Sequence, residues 1–380
     1  MSVVPASGVI SFARGIPAPE MFPSDELAEA ARLAFRRHSA TALNYGPPGG
    51  FGPLREWLGD QHSAAPGQVV LTPGSFLLLV LLARVLLRPS APVLVEVPSY
   101  DRVNNLLRQS GARIVPIRRG RDGLDFEALE RCLLSGGERP AFFYVMPTFH
   151  NPTGTTLSPA ARQRLADLAV RHDLLLIEDD PYGLLRFDGP APPSLRTLLE
   201  ARGAGRLSVF TSSFSKVIAP GLRVGYGVLP EHLAPRVAAA ALDTYVSPPL
   251  WPQAEVYEFL AAGFLPGQLT RIRELLRQRR DALVERLAAG LDGWSGDWWA
   301  PDGGYFLWLE LPRGMSAAAL LADSERAGVT FVPGSGFFSA GGGDDSARLS
   351  FSFPSVADIR IGADLLVATA RGQLLSHGAW

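Results

Sequence analysis

The 380-residue sequence holds one cysteine, one lysine and no apolar run long enough to cross a bilayer. A single cysteine, Cys132, excludes a disulfide within the chain and fits a reducing cytosol. The most apolar stretch, Phe76–Leu87, falls well short of the roughly 20 residues that a spanning helix needs. Arg84 interrupts it, so it reads as a buried helix. Met1–Ile10 lacks the basic stretch and long apolar core of a secretory signal. The formal net charge of −1 gives no general attraction to nucleic acid or to an anionic membrane. The expectation is a cytoplasmic protein with no nucleic-acid partner, no membrane partner and no metal.

What is present is a large apolar fraction, 47% of the residues, enough for a substantial core in a chain of two lobes. The basic residues are lopsided. Of the 36, one is Lys216 and the rest are arginine. Arginine replaces lysine well as a surface charge. It does not replace a primary amine that must attack a carbonyl, because its guanidinium stays protonated. Lys216 is therefore either a chance survivor on the surface or a lysine kept for its amine, and its neighbours decide between them.

Short apolar runs alternate with helical patterns, as in βαβ units with a mainly parallel sheet. Strands are expected at Val69–Leu71, Val93–Val97, Ala141–Met146, Leu174–Glu178, Leu207–Thr211 and Gly225–Leu229. Ser158-Pro159 sets a cap and first-turn proline for a helix running to about His172. Asp125 can cap another, with Leu129 and Leu133 inside. Ile272, Leu275, Leu276, Leu283 and Leu287 form one stripe of a long helix leading to a smaller C-terminal lobe. Strands of that lobe are expected at Tyr305–Leu311 and Arg348–Phe353.

In an open α/β sheet, ligands bind beyond the carboxyl ends of the strands. The residues found there make a coherent set. Thr72-Pro73-Gly74-Ser75 before a helix offers free N–H groups and a positive dipole end to a phosphate. Tyr100 can stack on a flat ring, and His150–Gly154, Asp179 and Tyr182 follow the next two strands. Ser212–Lys216 comes after the fifth strand, with Arg223 seven residues beyond the lysine. Pyridoxal phosphate chemistry needs these group types. A carboxylate keeps the pyridine nitrogen protonated, so that the ring withdraws electrons. An amide and a phenol tune the ring oxygen, while arginine, hydroxyls and N–H donors hold the phosphate. A lysine forms the resting Schiff base and then moves the Cα proton.

These stretches also carry a family resemblance. Tyr45–Leu54 (YGPPGGFGPL), His150–Gly154 (HNPTG), Glu178–Tyr182 (EDDPY), Ser213–Tyr226 (SFSKVIAPGLRVGY), Gly303–Leu309 (GGYFLWL) and Ala347–Phe353 (ARLSFSF) resemble fold-type-I aminotransferases. Within them the similarity is to the class I/II branch of aminoadipate and kynurenine aminotransferases and MocR-type regulators. It runs from about Ile10 to the end. The resemblance implies an α/β fold-type-I PLP-transferase with a large, mainly parallel sheet domain and a smaller α+β domain. Residues 1–40 would be an N-terminal segment packing with the small domain, 41–268 the large PLP-binding domain and 269–380 the small domain.

It also implies roles. Lys216 would be the Schiff-base lysine, and Asp179 would face the pyridine nitrogen. Asn151 and Tyr182 would contact the phenolic oxygen, with Tyr100 stacked on the ring. Ser213, Ser215, Arg223 and the backbone of Ser75 and Phe76 would hold the phosphate. Tyr45 would reach the phosphate of a neighbouring subunit, which implies a homodimer with shared active sites. Arg348 would pair with the substrate α-carboxylate. Gly15 and Arg14 lie in a segment expected to cover the substrate, Arg14 either as a selector of the substrate's distal end or as a surface residue. His150 reads as a wall residue.

The sequence departs from these relatives in places. Phe76-Leu77 stands where many have two glutamines, and Arg14 where they often have glycine. The N-terminal helix usual among them is expected to be absent or very short. The leading function is transfer of an amino group between an L-α-amino acid and a 2-oxo acid. The alternatives are elimination, decarboxylation, oxidative deamination or cyclisation by the same residues, and a ligand-sensing regulator. The regulator would need a helix-turn-helix domain ahead of this region.

Overall fold

A computed structural model describes residues 8–377, with side chains to residue 374. Fourteen strands lie among the described residues: β1 Ile10–Ser11, β2 Val69–Thr72, β3 Pro92–Val97, β4 Arg113–Gly120, β5 Gly123–Leu124, β6 Phe143–Val145, β7 Leu176–Asp179, β8 Ser208–Ser213, β9 Gly225–Val228, β10 Asp297–Trp298, β11 Phe306–Glu310, β12 Val329–Thr330, β13 Val332–Pro333 and β14 Ser346–Ser350. Eight form one sheet in the order β2-β9-β8-β7-β6-β3-β4-β5. The run β8-β7-β6-β3-β4 is parallel, and both edges are antiparallel.

Alternation along the parallel strands explains why they read as unbroken apolar runs. Val93, Val95, Tyr144, Ile177 and Val209 face one apolar cluster, while Leu94, Phe143, Val145 and Leu176 face another. Both faces are covered by helices, so neither set of side chains meets water. Ser75–Leu86 is one of those helices, with Leu78, Leu79, Leu81 and Leu82 all buried. It is the buried helix expected from the apolar run. Among the described residues, no helix is long and apolar enough to cross a membrane.

The chain leaves the large sheet through the helix Leu265–Gly290, whose Ile272, Leu276, Leu283 and Leu287 are buried. A second sheet follows in the order β10-β11-β14-β13. The N-terminal segment is tied to this end of the chain, because β1 pairs in parallel with β12. Ser158 and Asp125 cap their helices as expected, accepting from the amides of Ala161 and Ala128.

Two features differ from expectation. The N-terminal segment does contain a substantial helix, Ser24–Ala42, 19 residues long. Its buried residues are Ala30, Ala34 and Ala42, with Arg37 and His38 paired to the buried Glu258. Small residues pack that helix closely but leave a faint apolar period. The strand β4 was not foreseen either: Pro116 and three arginines obscure its pattern.

Candidate active site

The order of the large sheet reverses between β3 and β6: the chain steps outward to β4 and returns on the other side of β3. Ligands collect at such a point, beyond the carboxyl ends of the strands. A cavity of about 590 Å³ opens there. It gathers Lys216, Asp179, Tyr182, Asn151, Tyr100, Ser75, Phe76, Ser213, Ser215, Arg223, Arg348 and Gly15, twelve residues drawn from ten separate stretches of chain.

Lys216 ends a short turn, Phe214–Lys216, directly after β8. Ser213 sets that turn by accepting from the Ser215 amide at 3.1 Å. The lysine amine donates to the Gly15 carbonyl at 3.0 Å, and the Tyr305 hydroxyl donates to the lysine's own carbonyl at 3.0 Å. Burial, together with the positive charges of Arg348 and Arg223, pushes the amine's pKa down to about 8. The neutral, nucleophilic form is therefore far more accessible than in an ordinary lysine.

Asp179 is the last residue of β7 and is buried. Tyr144, buried on β6, donates its hydroxyl proton to Asp179 Oδ2 at 2.6 Å. The other oxygen, Oδ1, is buried with no hydrogen-bond partner. Burial raises this carboxyl to about 7, against the opposing pull of the Tyr144 hydrogen bond. An unpartnered carboxylate oxygen on a cavity wall suits a ligand that brings an N–H.

Arg348 sits in the middle of β14, between Trp308 of β11 and Val332 of β13. Its guanidinium lies between the rings of Phe306 and Phe337, at 4.3 Å and 5.0 Å from their centroids. It donates to Asn151 Oδ1 at 2.9 Å and to the Ala13 carbonyl at 3.1 Å, and its Nε is buried without a partner. A flat, fixed guanidinium of this kind suits a carboxylate.

At the third side of the cavity, Ser75 begins its helix after Gly74, which has φ +88°. The first amides of a helix have no partner within it. Arg223 reaches this turn, donating to the Pro73 carbonyl at 3.2 Å, and a Cβ on Gly74 would collide with its guanidinium. A Cβ on Gly225 would strike the Ser75 amide. The two glycines therefore keep amides, two serines and an arginine open to one small volume, a cradle that suits an anion. With the unpartnered Asp179 oxygen and the lysine amine, the residues present fit pyridoxal phosphate.

Two expected residues are not gathered there. Tyr45 is 83% exposed and outside the cavity. Arg14 is exposed, its guanidinium 4.9 Å from the centroid of the Phe353 ring. We expect Arg14→Gly to leave the ratio of kcat/KM for acidic and neutral amino acids unchanged within about twofold, as for a surface arginine on a ring. A loss confined to acidic substrates would contradict this. His150 is buried away from the cavity, held by Thr153 at 2.9 Å and facing Glu96. Burial and the charge of Arg119 keep its pKa well below the usual value, so it is neutral.

Sequence reasoning missed Tyr144, Phe306 and Phe337. One signal for Tyr144 was available: it brings a hydroxyl into an otherwise apolar strand, and a buried tyrosine hydroxyl needs a partner. Nothing local marked the two phenylalanines, whose meeting depends on how separate segments pack.

The family of class I and II aminotransferases matches residues 8–365. A 2-aminoadipate transaminase of Thermus thermophilus is 37% identical over 368 residues, covering 97% of this chain and 91% of that protein. Aromatic-amino-acid aminotransferase 1 of Thermococcus litoralis is 31% identical, with 98% and 91% covered. Among solved structures, the alpha-aminoadipate aminotransferase of Thermus thermophilus, complexed with N-(5'-phosphopyridoxyl)-L-leucine, superposes with a TM-score of 0.92 at 36% identity, covering 97% of this chain and 94% of that one. The kynurenine aminotransferase of Pyrococcus horikoshii gives 0.91 at 30%, covering 98% and 93%.

Proposed function

The chain belongs to the class I and II aminotransferases, enzymes that use pyridoxal phosphate to move an amino group between an L-α-amino acid and a 2-oxo acid, and from that premise we propose which side chain takes which part. When bound, the cofactor supplies the carbonyl that takes up the amino group and the ring that withdraws electrons from the reacting carbon. The observation that carries the assignment is the convergence of the only lysine, a buried carboxylate with one unpartnered oxygen and a buried arginine on one cavity.

Lys216 is the covalent anchor, and its amine moves the proton at the substrate Cα. Its lowered pKa suits both parts, since each needs the neutral amine. Asp179 Oδ1 holds the ring N–H. Asn151 and Tyr182 hold the ring's phenolic oxygen, and Tyr100 lies against the ring face. The Ser75 and Phe76 amides, Ser213, Ser215 and Arg223 hold the phosphate. Arg348 takes the substrate carboxylate, and Gly15 forms part of the wall over it. Cys132 has no second cysteine to pair with, which supports a cytoplasmic setting. The two sheets, joined by Leu265–Gly290, support a division into large and small domains near residues 268–269.

We assign the active form as a homodimer. Tyr45 and Leu43 are exposed, as is Val246, and the Gly46 amide donates to Ser247 Oγ, which brings these two segments together. Exposed apolar residues clustered in this way favour an interface. If Tyr45 crosses it to the neighbouring phosphate, Tyr45→Phe loosens the cofactor about tenfold, the size of one hydrogen bond to an anion. The sedimenting species stays dimeric. A fully active monomer would contradict the arrangement.

Substrate range is open to direct test. The amino form of the enzyme is prepared with a panel that includes 2-aminoadipate, kynurenine and the aromatic amino acids. Each 2-oxo acid is then scored for restoring the original visible absorbance. Failure of every pair would overturn the assignment of this cavity.

A further inference from the structure

The carboxylate of Asp179 has two oxygens in different situations. Oδ1 is buried and unpartnered, and its residue lines the cavity. Oδ2 accepts from Tyr144 at 2.6 Å. Tyr144 belongs to β6 and Asp179 to the neighbouring β7, where Tyr144 stands opposite Ile177. The tyrosine belongs to one buried apolar cluster with Val95, Ile177 and Val209, and it does not line the cavity. Its hydroxyl has one hydrogen-bonding partner among the described residues, Asp179.

We propose that Tyr144 is a positioning residue: its hydroxyl pins Asp179 so that Oδ1 faces the cofactor ring, and it favours the charged form of the carboxylate. The inference rests on the assignment of Asp179 to the ring nitrogen. A donor on one oxygen stabilises the charged form of a carboxylate. It also fixes the side-chain torsion, which selects the oxygen that meets the ring. Without the hydroxyl, burial and the charge of Asp180 act on Asp179 against the charge of Lys216 alone, which favours the neutral acid. A neutral acid attracts a protonated ring less strongly and can rotate. Tyr144 touches neither the ring nor the substrate, so its effect reaches the chemistry only through Asp179.

The test is a double-mutant cycle on cofactor affinity, read by equilibrium binding of pyridoxal phosphate to the apoprotein. Tyr144→Phe removes one oxygen and keeps the ring in its packing, so the apoprotein's Tm serves as the check on folding. We expect it to weaken binding by about ten- to a hundredfold, the size of a hydrogen bond to a charged group. The visible spectrum of the bound cofactor should also become more dependent on pH. In an Asp179→Asn background the same substitution should change affinity by less than about twofold, because the partner charge is already gone. Equal losses in both backgrounds would make Tyr144 a packing residue and overturn the proposal, as would an unchanged affinity in Tyr144→Phe alone. If Asp179→Asn itself left affinity and spectrum unchanged, the assignment of Asp179 would fall first. That result separates the two failures.

Discussion

Lys216→Ala loses amino transfer by at least about 10²–10⁴-fold, the share of a positioned general base alone, and also loses the covalent anchor. The variant should fold, because the Lys216 amine makes one hydrogen bond, to the Gly15 carbonyl. It should still bind the cofactor weakly through the phosphate cradle and Asp179. Borohydride treatment of the unaltered enzyme should fix the cofactor to the peptide that contains Lys216. Lys216→Arg should give no rescue, since a guanidinium stays protonated. An independent check needs no cofactor. An amine-directed acylating reagent can react with Lys216 and with the terminal amine. Its reaction with Lys216 in the apoprotein should rise with pH around a midpoint near 8 rather than near 10.5. The sign follows from the cause, because burial beside two arginines destabilises the ammonium. A midpoint near 10.5 would show an ordinary solvated lysine and sink the assignment.

Arg348→Ala is the second large effect. The guanidinium is buried, lies over the rings of Phe306 and Phe337, and keeps its Nε unpartnered. Truncating one member of a desolvated carboxylate–arginine pair costs about 2–5 kcal/mol, roughly 30- to 5,000-fold in kcat/KM. The loss should be similar for every amino acid, because each brings the same α-carboxylate. Arg348→Lys should recover only part of it: the charge returns without the planar two-pronged contact. Full activity toward any one amino acid in Arg348→Ala would place the carboxylate elsewhere.

The large sheet was legible, β4 apart, because its central parallel strands are buried on both faces and read as short apolar runs. Each strand expected there is present, with bounds differing by up to two residues at an end, while Arg348–Phe353 of the smaller sheet is observed as Ser346–Ser350. The Ser24–Ala42 helix was hidden because alanine packs without announcing a stripe. Arg279 hides another contact. It lies on the apolar face of Leu265–Gly290 and bonds Glu20 and the Ser352 carbonyl, joining segments far apart in sequence. The candidate site was legible residue by residue, because its polar groups follow strand ends. The partners that set their electrostatics were not. Phe306 and Phe337 read as ordinary core, and the Tyr144 hydroxyl could be paired only once β6 and β7 were seen side by side.

The hydrogen bonds of Arg348 have a consequence for the order in which the site comes into being. One spans 197 residues to Asn151 and the other 335 residues to Ala13. Lys216 reaches 201 residues back to Gly15. Closing such loops is slow, and synthesis delivers the chain from its N-terminus. While the ribosome is still making residue 300, the nascent chain already contains every strand of the large sheet, the lysine and the phosphate cradle. It lacks Arg348, the arginine proposed to take the substrate carboxylate. On the proposed assignment, a growing or truncated chain thus holds the residues for the cofactor's pocket before it holds the arginine for the substrate's carboxylate.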